Sequence, residues 1–525
     1  MTLYFGSYMM DLLALVTTLL AATYVYIIWT FQYWKKRNVP YLDPVIPWGN
    51  FENPMSRSVS LSEDIARICQ KAIAKGWKYF GMYALTQVNF VVLDLDLVKQ
   101  IMTKDFQNFV DRGFYYNEKD DPLSAHLFSI GGNKWRRLRT KLSPTFTSGK
   151  MKSMFSTLAD CGLLLEKYIQ NSVDNVKGND IKEIVSKFST DVIGSCAFGL
   201  QFNSFVDVES PFRLHGRKLF DGGKILDVKV AIGNAFPNFS KAVHLTTTPK
   251  DTSDFFRKVV EDTITYRWNN NVTRNDFLQL LLELMDKKSG AMNGITDNVG
   301  YRNPNFFLTD DENKLTMDEA AAQCFVFFVA GFETSSTTMT FALYQLAVNQ
   351  DIQDKVRKEI KIVLAKHDNQ ITYDSLNELK YMKQVIDETL RMYAPVPFVT
   401  RQAAEDYKLP GEDVIIEKGV VAVIPIQAIH MNEEIYPVPN KFDPDRFSEE
   451  NKAGRHPYAH IPFGEGPRIC IGERFGIMQT KVGLTTVLRN FRVTLNKKTK
   501  YPLKLSTKGF IPSADGGVWL NFEKI

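Results

Sequence analysis

The sequence predicts a mainly α domain with a small β region at one edge, preceded by an N-terminal transmembrane helix. The hydrophobic periodicity is largely helical from residue 48 to about residue 395, whereas β-rich runs are short and scattered. A long uncharged apolar run lies near the N-terminus. The rest of the chain contains no repeat, no low-complexity tract and no second composition regime. Residues 1–34 are therefore predicted to be a membrane anchor, and residues 35–525 a single large domain.

The anchor is predicted from the run between Leu12 and Phe31, which holds 20 uncharged, mostly apolar residues. At about 1.5 Å per helical residue, this run can cross a hydrocarbon core of roughly 30 Å. A cleaved signal peptide and a buried core helix are the alternatives, but a signal peptide has a basic start, and Asp11 is the only charge before Lys35. Aromatic residues cluster toward the end of the run and the basic triplet 35–37 follows it, so the domain is expected on the cytosolic side.

The remaining elements follow in chain order. Pro40, Pro44 and Pro47 predict a stiff linker between the anchor and the domain. Helices are predicted over residues 62–75, 95–103, 149–174, 180–198, 253–269, 275–287, 318–349, 351–366 and 375–393. Short strands are predicted over residues 89–93, 420–425 and 518–522, and the polar stretch 286–316 is predicted to be a surface loop.

Charge and cysteine content exclude several classes of protein. A net charge of +5, from 64 basic and 59 acidic residues, is too small at this length to indicate nucleic acid binding. Five cysteines form an odd number without a C-x-x-C pair, which argues against a disulfide framework or a structural zinc site. This usage favours a reducing compartment.

One cysteine, Cys470, has unusual neighbours. Residues 462–472 read Pro-Phe-Gly-Glu-Gly-Pro-Arg-Ile-Cys-Ile-Gly and fit the pattern F-x-x-G-x-R-x-C-x-G. With average residue usage, a chance match to all five specified positions has a probability on the order of one in ten thousand. Glycines let the backbone approach a flat cofactor, and a helix that begins after Cys470 would point its amide groups at the sulfur and stabilise a thiolate.

This pattern resembles the cysteine motif of the cytochrome P-450 family, and the resemblance implies the cytochrome P-450 fold with a haem-thiolate site. Cys470 would be the axial ligand of the iron of haem b, and the thiolate would favour cleavage of the O–O bond of bound dioxygen. The resemblance also implies that Phe463 covers the sulfur, that Arg468 binds a haem propionate and that Gly472 belongs to the cofactor site. Because the chain has no C-x-x-C-H, the haem is expected to be held without covalent bonds.

A second motif lies in the long helix predicted over residues 318–349. Its middle reads Ala330-Gly331-Phe332-Glu333-Thr334-Ser335 and resembles the family's [AG]-G-x-[DE]-T-[ST] signature. The resemblance implies that the Thr334 hydroxyl donates to bound dioxygen and that Glu333 supplies protons. The alternative is structural: a glycine tolerated in a buried helix, and a threonine that bonds back to the Ala330 carbonyl.

Three charged residues are predicted to fix the core. Glu388 and Arg391 form an E-x-x-R pair on one face of a helix whose end is set by Pro395. In the family their partner is an arginine in a P-x-R-F segment, which Arg446 matches here. The resemblance therefore implies a buried ion network, whose disruption would strand a charge at a cost of roughly 3 to 5 kcal/mol.

Three more residues resemble the family's propionate ligands. Trp135 and Arg139 match its W-x-x-x-R motif, and Arg401 lies in a comparable position without a tight motif around it. Indole and guanidinium N–H groups can both reach haem propionates.

The chain has no visible dinucleotide site of its own, since neither G-x-G-x-x-G nor a Walker A loop is present. Electrons from NADPH are therefore expected through a partner, and the resemblance implies NADPH-cytochrome P-450 reductase, with cytochrome b5 as a further candidate. A basic patch suited to an acidic flavoprotein is predicted from Lys134, Arg136, Arg137, Lys141 and Arg474. A solvated face is the alternative. His456 and His460 are spaced like zinc ligands, but Pro457 disfavours a helical turn, so no second metal site is predicted.

Longer stretches resemble insect microsomal members of family 6, and this likeness covers nearly the whole chain. They are Asp111-Arg112-Gly113 and residues 121–127, 141–155, 330–338 and 463–476. Members of that group mostly oxidise lipophilic plant toxins and insecticides with O2 at the endoplasmic reticulum membrane, which the resemblance implies for this chain. By analogy, the substrate pocket would be lined by Phe114, Tyr115, Phe128, Phe328, Val396, Phe510 and Ile511.

Ordinary core packing is the alternative for each of these aromatic and aliphatic residues. For the chain as a whole, the alternatives are oxidation of an endogenous hormone or lipid, a haem-thiolate isomerase or dehydratase, and a non-catalytic haem sensor. The intact Glu333–Thr334 pair argues against the isomerase.

Overall fold

The computed structural model describes residues 2–285 and 314–525, apart from 55, 174–177, 202, 208–209, 221–222 and 275. Within this part of the chain the α-helices are α1 (Thr2–Thr30), α2 (Leu61–Ile73), α3 (Leu95–Lys99), α4 (Gly132–Leu142), α5 (Ser148–Gln170), α6 (Ile181–Ile193), α7 (Pro211–Phe220), α8 (Gly223–Ala235), α9 (Pro237–Ala242), α10 (Lys250–Asn270), α11 (Phe277–Met285), α12 (Met317–Val348), α13 (Gln350–Ala365), α14 (Tyr373–Glu378), α15 (Lys380–Met392), α16 (Ile426–His430), α17 (Glu449–Ala453) and α18 (Glu473–Asn490). π-type turns extend α3 over Gln100–Lys104 and α6 over Gly194–Phe198.

The strands form small sheets beside these helices. They are β1 (Tyr79–Ala84), β2 (Gln87–Val92), β3 (Asn179–Asp180), β4 (Val399–Gln402), β5 (Tyr407–Lys408), β6 (Ile415–Ile416), β7 (Val421–Ile424), β8 (Phe491–Leu495) and β9 (Trp519–Lys524). One sheet has the order β1-β2-β7-β4, with only the β2–β7 pair parallel; the others are β3-β9-β8 and β5-β6. The predicted mainly α class with a small β region is therefore confirmed.

Helix α12 is the central helix of the domain. It begins with a capping box, in which the Thr316 hydroxyl accepts from the Glu319 N–H and the Glu319 carboxylate accepts from the Thr316 N–H. Most of its side chains are buried, because α6, α10, α15 and α18 all pack against it. Since α18 follows the cysteine motif, this packing brings the two sequence motifs to one place.

The helix predicted over residues 375–393 is two helices, because the chain breaks at Leu379. At the break, the Glu359 carboxylate accepts from two N–H groups at the start of α15. The Lys481 ammonium donates to the Leu376 and Leu379 carbonyls at 2.6 and 3.1 Å. Both helix ends are thus capped by charged side chains from distant segments. The loop predicted over 286–316 lies outside the described residues up to 313.

The candidate anchor lies at the N-terminus. Residues Met10–Arg37 are long and apolar enough to cross a membrane by length and composition, with a mean hydropathy of 2.0. Only 6% of the most apolar window is buried inside the structure. The predicted anchor run, residues 12–31, falls within this candidate span of residues 10–37.

The end of the anchor packs into the domain. Trp34 is fully buried, and a Cβ on Gly81 in β1 would lie 2.2 Å from its indole ring. The Tyr83 hydroxyl accepts from the Trp34 N–H at 3.1 Å and donates to the Phe31 carbonyl at 3.0 Å. The predicted boundary between residues 34 and 35 therefore falls inside packed structure.

The first part of the predicted proline linker is also paired with the sheet. Gly81 donates its N–H to the Pro40 carbonyl at 2.8 Å, and Tyr41 forms a bridge with the same strand. Arg37 forms an ion pair with Glu417 at 2.6 Å. The chain from the anchor to Tyr41 is consequently held by the domain along its length.

Candidate active site

The cysteine motif forms a tight loop before α18. The Cys470 N–H donates to the Phe463 carbonyl at 2.9 Å and closes the loop. Gly464 and Gly466 both have a φ of +73°, which favours glycine. A Cβ on Gly466 would lie 2.0 Å from the Met102 carbonyl oxygen, so this glycine lets the loop pack against the π-type turn after α3.

The Cys470 side chain faces a central cavity. Burial within the domain raises the pKa of its thiol above the ordinary value, and a hydrogen bond from the Gly472 N–H and the charges of Arg139 and Arg112 offset part of that rise. The other four cysteines are buried, and burial raises the pKa of each. Cys470 is the exposed one, through the cavity, and its donors favour the thiolate that binds a metal.

The cavity lies between the cysteine loop and α12. The cavity has a volume of about 270 Å³. On one side its wall includes Phe463, Cys470 and Gly472, and on the other Gly331 and Thr334. The two predicted motifs therefore face the same space.

On α12, Gly331 and Thr334 have roles in packing as well as in the cavity wall. A Cβ on Gly331 would lie 2.2 Å from Cδ1 of Ile193, so this glycine also lets the end of α6 approach. The Thr334 hydroxyl donates to the Ala330 carbonyl at 2.6 Å. The bond expected under the structural alternative is thus present, and the side chain still lines the cavity.

The Glu333 side chain does not line the cavity. Its carboxylate forms an ion pair with Lys182 of α6 at 2.7 Å, and Glu333 is 8% exposed. The same ammonium donates to the hydroxyls of Ser336 and Thr337 at 3.0 and 2.8 Å. The carboxylate is therefore directed to the α6 side of α12.

Four guanidinium groups gather at one edge of the cavity. Burial is the main cause that lowers the pKa of Arg112, Arg139, Arg401 and Arg468, and mutual repulsion adds to it at Arg112 and Arg468. The Arg468 guanidinium lies 3.9 Å above the Trp135 ring and donates to three backbone carbonyls. Nε of Arg112 and of Arg401 are buried without a hydrogen-bond partner.

These arginines fit a cofactor with carboxylate groups. In the described part of the chain, Asp111 lies 3.5 Å from Arg468, and no carboxylate forms an ion pair with Arg112, Arg139 or Arg401. Buried cations without counter-ions are costly, and the two propionates of haem would supply the missing negative charge. Trp135, Arg139 and Arg468 line the cavity, whereas Arg401 does not. Sequence reasoning missed Arg112, which also lines the cavity.

The structure brings the three members of the predicted ion network together. Glu388 accepts from Arg391 at 2.6 and 2.8 Å, and both side chains are 0% exposed. Nε of Arg446 lies 3.4 Å from Glu388. The remaining Arg391 donors bind the carbonyls of His430 and Pro439, so α15 is tied to the segment that leads to the cysteine loop.

Only part of the predicted substrate wall lies at the cavity. Phe128 and Val396 line it, and Phe114 stacks on Phe128 with ring centroids 5.4 Å apart. Phe328 does not line the cavity, because its ring is fully buried among other phenylalanine rings.

Three other predicted wall residues also lie elsewhere. Tyr115 donates its hydroxyl to the Leu245 carbonyl at 2.8 Å. The Phe510 ring packs on Phe398 at 5.8 Å and is 39% exposed, and neither Phe510 nor Ile511 is part of the wall. None of these three residues lines the cavity of the structure.

The predicted basic patch is partly neutralised. Lys134 forms ion pairs with Glu118 at 2.9 Å and with Glu319 at 3.1 Å. Arg136 and Arg474 are exposed, and Arg474 donates to the Ser148 hydroxyl at 3.3 Å.

The two histidines considered as zinc ligands have other partners. His456 accepts from the Tyr458 N–H at 3.1 Å, and His460 lies 3.1 Å from the Asp387 carbonyl. Among the described residues, no group of three or more His, Cys, Asp or Glu side chains could hold a metal ion.

The fold and the site define a class of protein: a mainly α haem-thiolate protein, in which a cysteine loop faces the central helix across an apolar cavity. The family model described as cytochrome P450 matches residues 54–519. The chain is 42% identical over 504 residues to cytochrome P450 6a2 of Drosophila melanogaster, which covers 94% of this chain and 96% of that protein. It is 39% identical over 523 residues to probable cytochrome P450 6a14 of the same organism, covering 98% and 100%.

The chain therefore belongs to the cytochrome P450 family. It is a monooxygenase oxidoreductase with a haem cofactor bound through a cysteine thiolate, and the resemblance seen in its motifs is confirmed. The resemblance to family-6 members extends over nearly the full length of the chain.

Proposed function

We propose that this chain inserts one oxygen atom of O2 into lipophilic small molecules such as plant toxins and insecticides. The electrons come from NADPH through NADPH-cytochrome P-450 reductase at the endoplasmic reticulum membrane, with the domain on the cytosolic face. The observation that carries the proposal is the apolar cavity shared by Cys470 and Thr334.

In this proposal, the residues around the cavity would bind haem. Cys470 would hold the iron of haem through its thiolate, with Phe463 as apolar cover and the Gly472 N–H as a donor to the sulfur. Arg112, Arg139, Arg401 and Arg468 would neutralise the propionates. The Trp135 N–H would donate a hydrogen bond to a propionate oxygen. Bound haem supplies the activation of dioxygen.

Protons reach the cavity through α12 in this proposal. The Thr334 hydroxyl would turn from the Ala330 carbonyl into the cavity and donate its proton there. Glu333 would relay protons to it from the α6 side. Because Lys182 binds the Glu333 carboxylate at 2.7 Å, the relay requires that this carboxylate leave the ion pair or pass protons through water.

The cavity wall supports a lipophilic substrate. Apart from its arginines and a few hydroxyl side chains, the wall is mostly apolar, with Phe128, Val396 and Val399 among its residues. An apolar molecule gains from contact with such a wall, whereas a strongly polar one loses its hydration there. The charges of the exposed Arg136 and Arg474 support docking of an acidic flavoprotein.

A two-part experiment tests the proposal on purified full-length protein. Reduced protein with carbon monoxide should give the strongly red-shifted Soret band of a thiolate-bound haem, and Cys470→Ser should lose it. Cys196→Ser is the matched control, since Cys196 also lines the cavity and should leave the band unchanged. With reductase, NADPH consumption should rise when a lipophilic substrate is added. Absence of the band, or product formation that needs no NADPH, would overturn the proposal.

A further inference from the structure

Two segments on the outside of the cavity wall are tied together by a dense set of polar contacts. The first is residues 115–121, and the second is residues 234–248, which run from the end of α8 to the start of α10. We call these contacts the clasp. Its members are Tyr115, Asn117, Asp120, Asp121, Asn234, His244, Leu245, Thr247 and Thr248.

Asp121 is the centre of the clasp. One carboxylate oxygen accepts from the Thr247 N–H at 2.9 Å, the Thr247 hydroxyl at 3.1 Å and the Thr248 N–H at 2.9 Å. The other oxygen is buried without a hydrogen-bond partner, and Asp121 is 2% exposed. A buried carboxylate with donors on one oxygen only is bound to the second segment by charge-assisted hydrogen bonds.

Tyr115 adds a second connection. Its N–H donates to Oδ1 of Asn234 at 2.8 Å, and its hydroxyl donates to the Leu245 carbonyl at 2.8 Å. The ring packs so closely on α8 that a Cβ on Gly233 would lie 2.9 Å from it. At the exposed edge, Asp120 lies 3.0 Å from His244.

The clasped residues lie within the stretch of chain that forms one wall of the cavity. Arg112 precedes them and Phe128 follows them, and both residues line the cavity. The far end of the stretch is fixed to α12, because the Leu127 N–H donates to Gln323 at 2.9 Å. The near end is fixed to the cysteine loop, because Arg112 donates to the Arg468 carbonyl at 3.1 Å. Between these two points, residues 122–124 pack against α12, and the clasp adds a connection to the segment before α10.

We propose that Asp121 is a positioning residue for the substrate cavity. Through the clasp it fixes the wall between Arg112 and Phe128 against the segment before α10. A bulky molecule can then reach Cys470 only if this wall moves, whereas a small one can enter while the wall stays in place. This inference rests on the proposed haem-thiolate function.

The test compares a small and a bulky ligand of the haem iron in the full-length haem protein. Imidazole and clotrimazole are mixed with the protein in a stopped-flow instrument, and the shift of the Soret band gives the association rate of each. Asp121→Asn keeps the size of the side chain but removes its charge. Asp374→Asn is the matched control, since Asp374 is exposed and forms a surface ion pair with Lys152.

In Asp121→Asn we expect clotrimazole to bind about tenfold faster, because the hydrogen bonds from Thr247 and Thr248 lose their charge assistance, with imidazole unchanged. Amide exchange should also speed up in residues 115–121 and 244–248. Equal acceleration of both ligands, or of neither, overturns the proposal. A milder variant, Thr247→Val, removes a single donor and should shift the ratio of the two rates in the same direction if Asp121→Asn does not fold.

The two proposals fail in different ways. A protein without the carbon monoxide band has no haem-thiolate site, and the proposed function falls. A protein with the band and an unchanged ratio of the two association rates keeps the proposed function and refutes the role of Asp121.

Discussion

At the level of single residues, Thr334 is bonded within its own helix and also faces the cavity. It donates to the Ala330 carbonyl at 2.6 Å, and the same side chain lines the cavity. A hydroxyl that rotates can exchange such an intrahelical bond for one to a ligand. Thr338, one turn further on, also lines the cavity and donates to the Thr334 carbonyl at 2.9 Å.

This pair of threonines gives a controlled prediction. Thr334→Ala should lower the rate of product formation roughly 100-fold, at the lower end of the effect of a positioned proton donor, while NADPH is still consumed and peroxide is released. Thr338→Ala should keep the ratio of product to NADPH. The measurement is product, peroxide and NADPH in one reaction, and an unchanged ratio in Thr334→Ala would refute the proposed role.

His460 offers a pH-dependent prediction. Burial, together with repulsion from Lys383 and Lys452, lowers the pKa of His460 to about 3. Its ring stacks on His430 at 5.1 Å, and burial also lowers the pKa of His430. An unfolded chain binds a proton at an ordinary histidine below pH about 6.5, whereas the folded chain does not.

The free energy of unfolding should therefore fall as pH is lowered from about 6.5, by at most about 1.4 kcal/mol per pH unit for each histidine. His460→Gln should reduce this slope between about pH 6 and 5, where only the unfolded state gains the proton. Urea unfolding at a series of pH values measures it. Above about pH 7.5 the imidazole is neutral in the folded and the unfolded state, so the pH dependence of stability should be the same in His460→Gln and the unchanged protein there. Equal slopes at acid pH would contradict the assignment.

Residues within one motif could be predicted because spacing along a single segment fixes their neighbours. Phe463, Gly466 and Cys470 are of this kind. The partner of Glu333 could not be predicted, because Lys182 is 151 positions away and meets it only through the packing of α6 on α12. Arg112 stands in a stretch that resembles the family, but no role was predicted for it, because it reaches the cavity from a loop without a helical or strand pattern.

At the level of elements, long periodic helices could be predicted and short elements could not. Strand β4 is four residues long, includes the buried Thr400 and Arg401, and exists through its pairing with β7. Helices α7 to α9 were not predicted, because exposed apolar residues such as Ile225 and Phe239 obscure the helical period. The break at Leu379 depends on Glu359 and Lys481, which come from other segments.

The joining of α15 to the cysteine segment gives the prediction at this scale. Glu388→Gln keeps the shape of the side chain but leaves Arg391 buried without a counter-ion, at a cost of about 3 to 5 kcal/mol. We expect little haem-loaded protein, measured as the carbon monoxide band per mole of chain.

A surface glutamate provides the control. Glu378→Gln in α14 removes the charge that binds Lys366 and His367 at the surface, and such exposed pairs contribute little to stability. Its haem content should equal that of the unchanged protein. If Glu388→Gln also retains full haem content and an unchanged unfolding midpoint, the ion network does not hold the core.

At the level of the whole molecule, the candidate anchor and the domain share one packed junction. Trp34 is fully buried between β1 and the end of the anchor, and it contacts Phe90 with ring centroids 5.8 Å apart. Tyr33 and Arg37 both bind Glu417, near the β5–β6 pair. Such contacts fix the direction in which the anchor leaves the domain.

Two tryptophans of this helical segment separate the contribution of the junction from that of the apolar helix. Trp34→Ala should lower the free energy of unfolding by about 3 to 5 kcal/mol, because it removes a large buried side chain and leaves a cavity beside Gly81. Trp29→Ala is the matched control: Trp29 is 64% exposed, so its loss should change stability by less than about 0.5 kcal/mol. Urea unfolding of both variants in the same detergent, followed by the Soret band, measures the difference. Equal unfolding midpoints for the two variants would mean that the packing of Trp34 does not stabilise the domain. A lower midpoint for Trp34→Ala alone would mean that the end of the anchor is part of the folded domain.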